Sequence, residues 1–468
     1  MSMIDLSAAE AVAAMRAGDI KAEDYAGALL TQAAKCERLN AFVTLEPQKV
    51  TSAAHEADKA RSAGRKLGTL HGLPIPMKDS VATRTLPTSG GTRTLRSFVP
   101  TADAEIVTRL QDEGAILMGK TNLTELSFGW TSNNAAFGAV RNPYDTDCIP
   151  GGSSGGSGAA VAARIAPLAL AEDTLGSIRV PASCCGIAGF RPTYGRYPNM
   201  GAMPLSMNNL DQVGPLARSV ADLALFDFAV TSAPQIIDAT PLDGVRIGVA
   251  AHFWANLDPE VERLGQEVLR KLRASGAVIV EADIPDSLKA AEDIAFTIIG
   301  HEIMPGITAY LAIHGSSMEF EQIFAGASEG TQFMLAAMAM PPNRPNRSAY
   351  EAALARRAEL LLETRQHFKT QGIAALVFPT IMTPPPRIGE DMEVEINGQK
   401  VPISVAMARN ASLGSCASMA SLVLPAGLSS RGLPVGVEFA SLAHTDQALL
   451  SLGLSLEEAL GVGPTPQI

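Results

Sequence analysis

A chain of 468 residues that is 47% hydrophobic and only 18% charged has the length and apolar content to bury a large core. Its formal net charge of -11 disfavours nonspecific attraction to nucleic acid or anionic lipid, and no basic cluster runs against that trend. The start lacks the basic segment and apolar run of a secretory leader, and no stretch approaches the ~20 uninterrupted apolar residues of a bilayer span. Cys36, Cys148, Cys184, Cys185 and Cys416 show no Cys-x-x-Cys spacing and read as buried thiols in a reducing cytoplasm. The expectation is a cytoplasmic protein with no metal or cofactor and no nucleic-acid or membrane partner.

Ser7-Ala-Ala-Glu10 is a capping box ahead of an Ala-rich helix that should stop near Gly18, and Glu23 to Arg38 carries a second helical pattern. Residues 1 to about 65 therefore read as a helical wrapping. Short apolar runs bounded by Gly and Pro then alternate with helices: Leu73 to Met77, Ala115 to Met118, Val245 to Val249, Ala277 to Val280 and Ala374 to Phe378. Such alternation predicts a layered α/β fold. Glu105 to Gly114 and Val261 to Gly276 are helices feeding two of these strands. Asp286 to Arg347 is mostly helical and rich in methionine, a composition that suits helix-helix contacts first and the lining of a substrate entrance second. A long helix follows from Ser348 to about Lys369.

The run Pro150-Gly-Gly-Ser-Ser-Gly-Gly-Ser-Gly158 is glycine-dense beyond the needs of a surface turn. A linker is disfavoured because Ala159-Ala-Val-Ala-Ala-Arg164 continues at once as a packable helix, which places the serines at a helix N-terminus. A phosphate loop would need a following Gly-Lys-Ser/Thr, which is missing. Gly151-x-Ser153-x-Gly155 matches a nucleophile elbow, yet the strand that should precede it is absent and no histidine sits in a triad context. Ser177 follows in Asp173-Thr-Leu-Gly-Ser-Ile-Arg-Val-Pro181, and Lys78 precedes in Ile75-Pro-Met-Lys-Asp-Ser80. Two serines on glycine-bearing turns with a lysine available as base point to hydrolysis of an amide.

Together with Cys185-Gly-Ile-Ala-Gly-Phe-Arg-Pro-Thr-Tyr-Gly195, these segments resemble the amidase signature family, in order and over nearly the whole chain. The resemblance implies an α/β fold: one large domain over 1-468 with a central mixed, twisted sheet covered by helices on both faces. Its signature core would span about 70-225, with a helical, variable substrate-side insertion at about 286-370. It further implies Ser177 as nucleophile, Ser153 as proton relay, Lys78 as base, and a cis peptide before Ser153. The backbone N-H groups of Thr174, Leu175, Gly176 and Ser177 would form the oxyanion hole. The family's usual motif has two glycines before the nucleophile where this chain has Leu175-Gly176. Leucine there must accept an unusual backbone conformation or shift the loop, and its side chain would narrow the pocket. Asp173 and Arg179 read as structural ties for the loop.

Leu126-Ser-Phe-Gly-Trp-Thr-Ser-Asn-Asn134 resembles bacterial indoleacetamide and mandelamide hydrolases, and Asn209-Leu-Asp-Gln-Val-Gly-Pro215 the A subunit of glutamyl-tRNA amidotransferases. The latter would need an acid to hold the amino group of glutamine, but Ala408 with Arg409 beside it stands at the nearest matching position. The expected activity is therefore hydrolysis of small apolar or aromatic amides by a monomer or homodimer, with carbamates, ureas, anilides and aryl esters as related substrates. The alternatives are a glutamine-hydrolysing, partner-dependent subunit and a catalytically silent relative. Ser132 and Leu175 are the candidate substrate contacts, and segments 126-133 and 295-345 the expected pocket walls.

Overall fold

The computed structural model describes the chain apart from residues 1, 207, 234-236 and 468. Its strands are β1 (Phe42–Leu45), β2 (Pro74–Lys78), β3 (Ile116–Thr121), β4 (Asn133–Asn134), β5 (Gly138–Ala139), β6 (Leu168–Asp173), β7 (Ala188–Arg191), β8 (Gln212–Ala217), β9 (Arg246–Val249), β10 (Val278–Glu281), β11 (Ala375–Pro379), β12 (Glu393–Ile396), β13 (Gln399–Pro402), β14 (Ala420–Leu428) and β15 (Pro434–Ser441). An 11-stranded sheet runs in the order β1-β3-β2-β6-β8-β7-β14-β15-β11-β9-β10, while β4 with β5 and β12 with β13 form separate hairpins. The sheet is mixed. β2 is parallel to β3 and β6, and β9 is parallel to β10 and β11. The pairs β6-β8, β7-β8, β7-β14, β14-β15 and β11-β15 are antiparallel.

Local chemistry sets the elements where the sequence predicts them. The Ser7 hydroxyl accepts from the Glu10 N-H and the Glu10 carboxylate from the Ser7 N-H, so the helix Ala8–Ala17 starts on a closed capping box and ends at Gly18, φ +85°. The long helix is Arg347–Gln371, capped by the Asn346 side chain and stopped by Gly372. The apolar runs expected as strands become β2, β3, β9, β10 and β11.

Helices flank the sheet, and one contiguous core extends from Ala8 near the N-terminus to Leu460. The stretch Asp286–Ile313 is long and apolar enough to cross a membrane by length and composition, yet 56% of its most apolar window is buried inside the protein. Its helix Ala291–Ile313 packs on Arg347–Gln371 and on the helix Ile403–Cys416.

Candidate active site

β2 and β6 lie side by side and parallel, with Met77 opposite Leu170, so both deliver their last residues to the same end of the sheet. Lys78 ends β2 and Asp173 ends β6. The carboxyl ends of parallel strands are where α/β sheets hold ligands. Ser153 reaches the same place from the turn before the helix Gly155–Ala162, through a cis Gly152-Ser153 peptide. Glycine is required along that turn. A Cβ on Gly152 would lie 2.6 Å from the Trp130 carbonyl carbon, and one on Gly156 would lie 2.4 Å from the Ala41 oxygen. The run is thus a site of close backbone approach and not a free linker.

Lys78 and Ser153 are both fully buried, and Lys78 Nζ lies 2.7 Å from Ser153 Oγ as donor. A longer contact of 3.4 Å reaches the Glu172 carbonyl. Burial pushes the Lys78 ammonium down, against the opposing pull of the Glu172, Asp173 and Asp211 carboxylates. The net movement is toward the neutral amine that a base must be.

The turn between β6 and the helix Arg179–Cys185 carries Ser177. Asp173 shapes it: its two oxygens accept from Gly176 N (2.9 Å) and Ile178 N (3.0 Å) while binding Arg179 Nη2 and Nε (both 3.0 Å). Arg191 Nη1 adds a bond to the Asp173 carbonyl at 3.0 Å. Asp173 and Arg179 are the loop ties expected of them. The left-handed conformation of the turn falls on Gly176, φ +100°, and Leu175 is not among the residues with positive φ. Leucine is therefore accommodated without the backbone conformation that its presence threatened. The Gly176 N-H, expected in the oxyanion hole, is already committed to the Asp173 carboxylate, which removes it from the set of free donors. Those of Thr174, Leu175 and Ser177 have no backbone acceptor among the described residues.

Ser177, 6% exposed, opens with Thr174 and Leu175 onto a cavity of about 280 Å³, near the lower end of the ~300-1,000 Å³ of small-molecule sites. Both expected wall segments contribute, through Phe128 and Trp130 on one side and Phe296, Met334 and Met338 on another. Met304, Met318 and Met340 instead pack on the core. Sequence reasoning missed two elements. The β12-β13 hairpin and its flanks close the cavity with Met392, Pro402 and Ile403, and Trp130 Nε1 donates to the Leu175 carbonyl at 2.8 Å. A lone tryptophan amid Gly and Thr was the available signal for the second, but nothing in the sequence ties it to residue 175.

Asp391 is the one charged side chain in the cavity lining among the described residues, and its Oδ2 accepts from Asn133 Nδ2 at 2.6 Å. Ser132, expected to touch substrate, is fully buried and outside the lining. Its hydroxyl donates to the Ser153 carbonyl (3.3 Å) and accepts from Gly155 N (3.1 Å), so it stands beneath the turn that carries Ser153. Ala408 is buried, and Arg409 donates to the carbonyls of Ala255 and Phe253. Asp79, next to Lys78, pairs with Lys120 at 3.6 Å and accepts from the Ser89 N-H.

Known proteins are similar to this chain over nearly its whole length. The amidase family profile fits residues 26–450. The chain is 34% identical to the mandelamide hydrolase of Pseudomonas putida, over 99% of this chain and 93% of that protein. It is 35% identical to an indoleacetamide hydrolase of Rhizobium radiobacter, over 94% and 95% of the two. A solved amidase structure superposes with a TM-score of 0.87 at 30% identity, covering 97% of this chain and all of the other. Motif order, sheet and full-length similarity agree, and the chain belongs to the amidase signature family of hydrolases.

Proposed function

We propose that the protein cleaves the C-N bond of small apolar or aromatic amides, with Ser177 as nucleophile, Ser153 as proton relay and Lys78 as base. The observation that carries this reading is the 2.7 Å bond between the buried Lys78 Nζ and Ser153 Oγ, at the carboxyl end of β2 beside β6, whose following turn brings Ser177 to an apolar cavity. Neutral Lys78 takes the Ser153 proton as Ser153 takes that of Ser177, whose oxygen attacks the carbonyl carbon. The oxyanion is met by the N-H groups of Thr174, Leu175 and Ser177, each worth about 2.7 to 4 kcal/mol if it behaves as such donors do. Collapse returns the proton through Ser153 to the leaving nitrogen, and water then hydrolyses the acyl-enzyme by the same relay.

The cavity lining supports an apolar acyl group. It contains no Lys, Arg or His among the described residues, so the α-carboxylate of glutamine would be buried without a counter-charge. That disfavours the amidotransferase-subunit reading. Anilides and carbamates present the same carbonyl to Ser177 and belong to the proposed range. The test is turnover on a panel of aryl amides, anilides, carbamates and glutamine. We expect aryl amides to be cleaved, with Ser177→Ala and Lys78→Ala each lowering kcat by at least about a thousandfold. Full turnover in either variant overturns the assignment of that residue, and a wild type inactive on every substrate would favour a silent relative.

A further inference from the structure

Glu172 is a carboxyl placed in the middle of the machinery that the proposed relay does not use. It is 2% exposed, on β6 immediately before Asp173, in a strand otherwise built of Leu and Ala. A buried carboxyl is costly unless it is partnered, and this one is only half partnered. Oε2 accepts from Ser80 Oγ at 2.7 Å and lies 3.6 Å from Lys78 Nζ, while Oε1 has no hydrogen-bond partner. Buried side-chain oxygens are generally hydrogen-bonded, so Oε1 leaves Glu172 with capacity for a further interaction.

The relay creates a need that Glu172 meets. When Ser177 attacks, its oxygen's electron pair forms the bond to the carbonyl carbon, the carbonyl π electrons move to the oxyanion, and one proton arrives at the Lys78 lone pair by way of Ser153. Lys78 becomes an ammonium in a fully buried site. Of the carboxylates around it, Asp173 is bound by Arg179 and approached by Arg191. Asp211 accepts from Thr174 Oγ1, Leu205 N and Ser206 N. Glu172 is the carboxylate with an oxygen to spare.

We propose that Glu172 is a positioning residue whose carboxylate, steered by Ser80, supplies the counter-charge for the ammonium formed on Lys78 during acylation. The inference rests on the reading of Lys78 as base. Glu172 acts as a carboxylate and takes no part in the proton transfer, and the Lys78 proton returns to the leaving nitrogen. The titratable and charged groups facing Glu172 are Lys78 from β2, Asp173 on its own strand, Asp211 ahead of β8, and Tyr310 from the helix Ala291–Ile313, with the Ser80 hydroxyl as donor. Burial drives the Glu172 carboxyl upward and Lys78 and Ser80 oppose it, so the charge is worth most when Lys78 is protonated.

The sign of the test follows. A carboxylate at this distance raises the proton affinity of Lys78, so Glu172→Gln lets Lys78 lose its proton at lower pH. The acid limb of the kcat/KM profile should move down by about 1 pH unit or more, and the plateau of kcat should fall about tenfold because the ammonium is less stabilised. Glu172→Asp, which keeps the charge, should return the limb toward wild type. A purely structural role would lower the plateau and leave the limb in place; that result, or a limb that moves up, overturns the proposal. If glutamine is not tolerated in the fold, Ser80→Ala makes the same test: without the hydroxyl, Glu172 holds its charge less well, and the limb should again move down. Lys78→Ala run alongside separates the two claims. An inactive Lys78→Ala with an unmoved Glu172→Gln limb refutes only the role of Glu172, whereas an active Lys78→Ala refutes the base itself.

Discussion

Replacing Arg179 by methionine removes a guanidinium whose five N-H donors are all engaged. Nε and Nη2 bind the two oxygens of Asp173 at 3.0 Å, Nη1 binds Glu438 Oε1 at 3.0 Å and the Ala411 carbonyl at 2.9 Å, and Nη2 also reaches Ser415 Oγ at 2.7 Å. Arg179, Asp173 and Glu438 are all fully buried. Stranding two buried carboxyls should cost about 3 to 5 kcal/mol, a large part of the ~5 to 15 kcal/mol that holds a folded protein together. Turnover should fall as well, because Asp173 fixes the N-H groups of Gly176 and Ile178 on either side of Ser177, the proposed nucleophile. The assay is urea unfolding followed by the fluorescence of Trp130 and Trp254, alongside kcat. Its pH dependence is specified too. Burial works to raise the Asp173 carboxyl, but Arg179 and Arg191 overcome it and hold the group below the usual carboxylate range. The stability it contributes is therefore present above its unfolded value of about 4 and is lost as pH falls through the lower folded value. The deficit of the variant should be full near neutrality and shrink in acid. An unfolding midpoint within about 0.5 kcal/mol of wild type, with full turnover, would refute the reasoning.

Three further outcomes follow from the same geometry. Leu175→Ala should open the cavity beside Ser177 and raise kcat/KM for bulkier acyl groups relative to small ones by about tenfold or more; an unchanged ratio would show that the side chain does not bound the acyl site. Trp130→Phe removes the donor to the Leu175 carbonyl while preserving a ring against Phe296, with which Trp130 packs edge-on at 6.5 Å. It should cost about 1 to 3 kcal/mol and lower kcat more than it changes KM, measured by steady-state kinetics and thermal melting. Burial, with the Glu172 charge adding to it, pushes the Asp211 carboxyl up to about 7, so its stabilising contribution is full below about pH 4 and is lost as pH rises through about 7. The stability advantage of wild type over Asp211→Asn should accordingly decline across that window in urea titrations, and a pH-independent difference would count against the shift.

The parts of the molecule legible in the sequence are those written in local patterns. The capping box at Ser7, the stop at Gly18 and apolar runs such as that of β11 depend on a few neighbouring residues, and each appears where expected. β6 was harder to read as a strand because Glu172 and Asp173 close a short run of Leu and Ala. β14 and β15 contain Pro425 and Pro434, which mask a long antiparallel pair. At the site, the proposed relay Ser153 and proposed nucleophile Ser177 sit in glycine-bearing motifs with distinctive spacing. What remained hidden is made by distant pairing: Trp130 with Leu175 is 45 residues apart, Lys78 with Glu172 94, and Asn133 with Asp391 258. The burial of Ser132 beneath the Ser153 turn belongs to the same class. Each depends on how the turns fold against one another, which spacing alone does not encode.

The central claim is that an acyl group is carried by Ser177. Mixing the protein with an activated aryl ester or a slowly deacylating anilide, quenching in acid within the first turnovers and mapping peptides by mass spectrometry tests it directly. The account predicts an adduct of the acyl mass on Ser177, absent in Ser177→Ala and accumulating far more slowly in Lys78→Ala. An adduct on Ser153, or undiminished hydrolysis by Ser177→Ala, would contradict it.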